Sequence, residues 1–122
     1  MMRRIFFLTV TVLFLFSASV FSHPPTNLSL SYDPATQILR VEMTHVTGNI
    51  REHHIRRLVI SKNGEEAKSM TIVRQTTPSS EVEDIPLEAK PNDTIRVEAY
   101  CSEGGIGEET LVVPEPSNPD YY

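Results

Sequence analysis

The segment "THVTGNIREHHI", residues 44–55, places His45, His53 and His54 within ten positions, in a chain with only four histidines and one cysteine. Imidazole is the commonest metal ligand, and a thiolate is a second one. His45 closes one apolar-alternating segment and His53 opens the next, so the loop "VTGNIRE" can fold the two rings toward each other. Cys101 ends the segment "TIRVEAYC" and leads into the Gly-rich turn "SEGG", where backbone can close tightly around a site. Strand parity turns Cys101 inward with Ile95, Val97 and Ala99. The alternatives are an inert core thiol and solvated loop histidines. His53 and His54 would face opposite ways on a strand, so one of them at most would face a site shared with His45. Parity would put His54 with Leu58 and Ile60, or at the edge.

The fourth histidine, His23, depends on how the chain begins. Arg3 and Arg4 precede an apolar run from Ile5 to Phe16, followed by "SASVFS" with Val20 and Ser22 at the −3 and −1 positions of a cleavage site. Residues 1–22 read as a secretory signal peptide, the apolar run being short for a bilayer span. Cleavage would make His23 the mature N-terminus, where its amine and imidazole can together chelate copper. It would also place the protein in the periplasm or outside the cell. Removing Arg3 and Arg4 leaves 9 basic against 16 acidic residues, a net charge of −7. That balance argues against nucleic acid or an anionic membrane as partner. No apolar run long enough to span a bilayer follows the leader. In an oxidising compartment the lone cysteine pairs outside the chain, stays buried, or binds metal.

Short alternating segments must position these residues. They are 27–32, 37–43, 54–61, 66–74, 80–87, 94–101 and 108–113, separated by turn signals such as "DPAT", Asn63-Gly64 and "KPND". The Asn-Gly pair predicts a tight hairpin between the third and fourth. Seven short strands without an amphipathic helix predict an all-β, seven-stranded immunoglobulin-like β-sandwich over 23–113, lacking the Cys…Trp…Cys core of antibody domains. Residues 114–122, "PEPSNPDYY", read as a disordered Pro-rich tail. Other chemistries find no support: there is no GxSxG, no Gly-rich phosphate loop and no CxxC. Asp84 and the glutamates show no pairing suited to acid–base work. Arg56 and Arg57 read as a solvated strand edge.

The stretches "SHPPTNLSLSYD", "VEMTHVTGNIREHHIRRLVI" and "DTIRVEAYCSEGG" resemble the iron-binding domain of the superoxide reductases, the desulfoferrodoxin and neelaredoxin group. The resemblance covers most of the mature chain. In that family four histidines and an axial cysteine thiolate hold one non-haem iron. By position, His45 matches the second histidine, His53 the third and Cys101 the axial thiolate, while His23 in "SHPP" stands loosely for the first. The implied metal ligands are therefore His23, His45, His53 and Cys101. Two departures stand out. Gly104 occupies the place of the family's fourth histidine, in "CSEGG" against "CNxHG". Ser22 stands where the family has a lysine before its first histidine. A weakened equatorial set would be completed by water, by the His23 amine or by His54, and copper or zinc could replace iron. The resemblance implies superoxide as the small-anion substrate and an external electron-donor protein. With no CxxC module, a second iron centre is not expected. A non-catalytic binding or assembly module without metal, and a copper site built on His23, are the alternatives.

Overall fold

The structure is a computed structural model describing residues 24–116. The predicted leader 1–22, His23 and residues 117–122 lie outside the described residues. Seven strands form two antiparallel sheets, with no helix among the described residues: β1 (Thr26–Asp33), β2 (Ile38–Thr44), β3 (Ile55–Lys62), β4 (Glu65–Thr71), β5 (Ser80–Pro86), β6 (Thr94–Cys101) and β7 (Ile106–Val112). One sheet runs β1-β2-β5 and the other β4-β3-β6-β7. The immunoglobulin constant arrangement would put the fourth strand beside the fifth-strand sheet. Here β4 stays with β3, because Asn63 and Gly64, at φ 54° and 85°, form a tight turn that hairpins the two strands together.

Alternation builds the core. Leu39, Val41 and Met43 of β2 project from one face, as do Ile95, Val97, Ala99 and Cys101 of β6, and all are buried. With Leu58 and Ile60 of β3 and Ile85 of β5 they form one apolar cluster between the sheets. Full burial of each such aliphatic side chain contributes about 1.5–3 kcal/mol. Tyr32 joins the cluster from β1. Its hydroxyl donates to the Leu87 carbonyl at 2.6 Å and accepts the Ala89 N–H at 3.1 Å, tying the chain after β5 to β1.

β3 departs from simple alternation. Its register against β6 shifts between Ile55 and Arg57, so Ile55, Leu58 and Ile60 point inward while Arg56 and Arg57 are both exposed. The strand is also central, not an edge. Arg57 lies over the Tyr100 ring at 5.6 Å and reaches Ser69 and Glu66 on β4; both arginines are solvated as predicted, but on a central strand and not at an edge. The same bulge removes His54 from the parity of Leu58 and Ile60.

Chain direction gathers the chemistry at one end of the sandwich. β2, β4 and β6 finish there, and β1, β3, β5 and β7 start there. Two of the three crossings between sheets, 45–54 and 72–79, and the short β6–β7 turn therefore lie side by side at this end.

Candidate metal centre

The 45–54 crossing is folded by its own polar groups. Asn49 Oδ1 accepts the N–H groups of Arg51 and Glu52, and the Asn49 carbonyl accepts the His53 N–H at 2.9 Å. This single turn returns the chain so that His53 faces His45. The two rings meet edge to face, with centroids 4.9 Å apart and planes at 88°. His45 is anchored from the other sheet-crossing, its N–H donating to the Ser79 carbonyl at 3.0 Å.

Cys101 arrives on β6, directly paired with Ile55 of β3. Ser102 fastens the strand end to the histidine loop. Its N–H donates to the His54 carbonyl and its hydroxyl to the Glu52 carbonyl, each at 2.9 Å. One ring nitrogen each of His45 and His53 and the Cys101 Sγ all lie within 4.8 Å of one another. Metal–nitrogen and metal–sulfur bonds of about 2.0–2.3 Å set neighbouring ligands of one ion about 3–4 Å apart, so the three atoms would draw together to hold one. His45 is 3% exposed and Cys101 2%. The His45 Nδ1 faces Gln75 Oε1 at 2.7 Å, while its Nε2 is buried without a hydrogen-bond partner, an arrangement suited to a ligand nitrogen. On His53 the Nδ1 has the Glu103 carboxylate 3.5 Å away.

The remaining predicted residues fall elsewhere. His54 is outside the cluster. Its Nε2 meets the Ile72 carbonyl at 2.8 Å, which holds the ring against the end of β4. His23 lies outside the described residues. The chain that follows it is closely placed: a Cβ built on Gly105 would sit 3.0 Å from the Pro24 nitrogen, and the Gly105 carbonyl accepts the Cys101 N–H at 3.1 Å. Gly104 has φ 101°, a conformation that a histidine rarely adopts. An open cleft of about 350 Å³, lined by Pro24, Thr26, Thr44, His45 and Val46, borders the cluster.

Two residues carry structure here that sequence reasoning missed. Gln75 is fully buried beside His45, with no signal in "RQTTPSS" beyond its polarity. Glu81 is also fully buried. Burial first, and then hydrogen bonding with Glu83, push its carboxyl up to about 7, against the pull of the Thr76 N–H. Glu81 and Glu83 thus interact across alternate residues of β5.

No protein-family model and no curated protein sequence matches this chain. Among solved structures it is similar to the superoxide reductase from Nanoarchaeum equitans, at 15% identity and a TM-score of 0.38, over 73% of this chain and 92% of that chain. A likeness of that size carries nothing about chemistry.

Proposed function

We propose that this chain binds one metal ion through His45, His53 and Cys101, with His23 as a further ligand, and serves as an exported mononuclear iron protein of superoxide-reductase type. The observation behind this reading is the convergence of two imidazoles and the chain's one thiol within 4.8 Å, from the two ends of the 45–54 crossing and the end of β6, at one end of the sandwich. Two imidazoles and a thiolate suit iron, and also zinc and copper. His23 is assigned because the next residue, Pro24, packs on the turn that follows Cys101 and lines the cleft with His45.

Bound iron would supply a one-electron couple, with the thiolate raising electron density at the metal. The protein's own residues do the rest. β6 and the Ser102 hydrogen bonds hold the sulfur in place, and the core around Cys101 keeps bulk water from it. The 49–53 turn orients His53, and the cleft beside His45 gives a small anion a route toward the cluster. The proposed net reaction joins one superoxide, one electron from an external donor protein and two protons to give hydrogen peroxide. A metal-free binding module is the second reading, favoured by the place of Cys101 in the apolar core.

The test is to express the full chain from its native leader, purify it without chelators, and measure metal content, N-terminal mass and visible spectrum. Near-stoichiometric iron, a sulfur-to-iron absorption band lost in Cys101→Ser, and donor-dependent superoxide consumption are expected. Metal-free protein that gains no ion from added Fe(II), and a Cys101→Ser variant of unchanged stability, would favour the binding module. Copper held only when His23 is terminal would favour a site built on the chain's start.

A further inference from the structure

We infer that Gln75 is a positioning residue: its amide fixes the tautomer and direction of the His45 ring and so decides which nitrogen the cluster offers. Gln75 belongs to the 72–79 crossing, is fully buried, and spends every hydrogen-bonding group of its side chain locally. Nε2 donates to the His45 carbonyl at 2.6 Å and to the Thr77 carbonyl at 2.8 Å. Oε1 meets the His45 Nδ1 at 2.7 Å and accepts the Ile55 N–H at 3.4 Å.

These contacts determine the amide's orientation. Carbonyl oxygens only accept, so the end of the amide facing two of them must be the NH₂ group. The other end is then the oxygen, which also only accepts. A ring nitrogen 2.7 Å from it must therefore carry the hydrogen. A neutral imidazole has one N–H, so with Nδ1 protonated the lone pair sits on Nε2. That is the nitrogen buried without a partner. The opposite tautomer would set two lone pairs against each other at 2.7 Å and put the hydrogen on the buried, unpartnered Nε2.

The reach of Gln75 goes beyond one ring. Its backbone N–H donates to the Ile50 carbonyl at 2.8 Å, inside the loop that joins His45 to His53. Ile55, whose N–H it accepts, follows His53 by two residues and pairs with Cys101. One residue thus touches the His45 ring, the loop to His53 and the strand start opposite the sulfur. Leucine would fill the space with no polar atom, asparagine would fall short by a methylene, and glutamate would keep the acceptor but lose the pair of donors.

The tautomer stands whether or not metal binds; the effect on affinity rests on the metal reading above. Long-range ¹H–¹⁵N spectra of the metal-free full chain at pH 8, where imidazoles are ordinarily neutral, read the tautomer directly. His45 protonated at Nδ1 is expected, and protonation at Nε2 would overturn the inference whatever the variants do. Co(II) titration, followed by the thiolate-to-cobalt band, gives the second readout. Gln75→Leu should weaken Co(II) binding 10–100-fold and mix the tautomers, while Gln75→Glu should keep Nδ1–H and recover most of the affinity. A folded Gln75→Leu with wild-type affinity and unchanged tautomer overturns the inference. Should that variant not fold, Gln75→Glu decides, since loss of Nδ1–H despite a retained acceptor counts against the role. A wild-type chain with Nδ1–H at His45 that takes up no Co(II) sinks the metal reading and leaves the tautomer assignment intact.

Discussion

Burial governs the chemistry of individual residues here more than charge does. Glu81 shows this outside the donor cluster. Its folded-state pKa of about 7 stands above the ordinary carboxylate value of 4.5, so the fold prefers the protonated form. Below about pH 4.5 both folded and unfolded chains hold that proton. Between there and pH 7 only the folded chain does, so stability falls as pH rises, and above pH 7 the loss is complete. The shift corresponds to roughly 3 kcal/mol at its fullest. Urea unfolding at pH 5 and pH 8 should show that decline in the wild type and a flatter profile in Glu81→Gln, which retains an acceptor for the Thr76 N–H. Parallel profiles for the two proteins would remove Glu81 from the account. Arg40 and Arg96 contrast with it. Their guanidinium groups are held above the ordinary arginine value, first by hydrogen bonds to Glu42 and Glu108, but on exposed surface where such pairs contribute little.

Between elements, the decisive contact is the close approach of the chain before β1 to the start of β7. Gly107 allows it: a Cβ there would lie 2.7 Å from Pro25 Cγ and 2.9 Å from the Pro25 carbonyl oxygen. The ring carbon could yield, but the backbone oxygen of a buried residue next to β1 cannot do so cheaply. Gly107→Ala should therefore destabilise the fold by about 1–3 kcal/mol, read as a lower urea midpoint with an unchanged slope. With His23 as a ligand, as proposed, the same variant should also weaken metal binding, because it would displace Pro25, two residues along the chain. At the far end Gly64 has open space around it but a φ of 85°, so Gly64→Ala should cost about 1 kcal/mol through backbone strain alone. Comparing these two glycines separates crowding from strain.

For the whole molecule, a metal held by residues from two segments far apart in the chain, the 45–54 crossing and the end of β6, should stabilise the native state by mass action. Those segments come together only on folding. At a hundredfold excess over Kd the gain is about 2.7 kcal/mol, which for a domain near 100 residues is a rise in Tm on the order of 10–20 °C. Calorimetry with Fe(II) under anaerobic conditions, or with Zn(II), should show that rise, its reversal by chelator and its absence in Cys101→Ala. A Tm indifferent to added metal and to chelator would mean that the three donors meet without taking an ion.

The strands were legible from the residues alone because each is half buried and alternates with period two. "QILRVEM" and "TIRVEAYC" carry that pattern, and Asn63-Gly64 locates a turn for local conformational reasons. The types of the candidate ligands were legible too, since histidine and cysteine are scarce in this chain. The Asn63-Gly64 hairpin and the solvation of Arg56 and Arg57 were legible as well, but not that the first sheet would stop at three strands or that β3 would lie between β4 and β6. Nothing in the residues alone signalled that His54 would be tied to Ile72 and kept from the cluster. Gln75 and Glu81 were invisible for the same reason: nothing local distinguishes a buried polar side chain from a solvated one. Residue type and periodicity settled the strands and the candidate donors. Which donors meet, and which buried amide aims them, depended on contacts between segments far apart in the chain, and only tertiary packing supplies those.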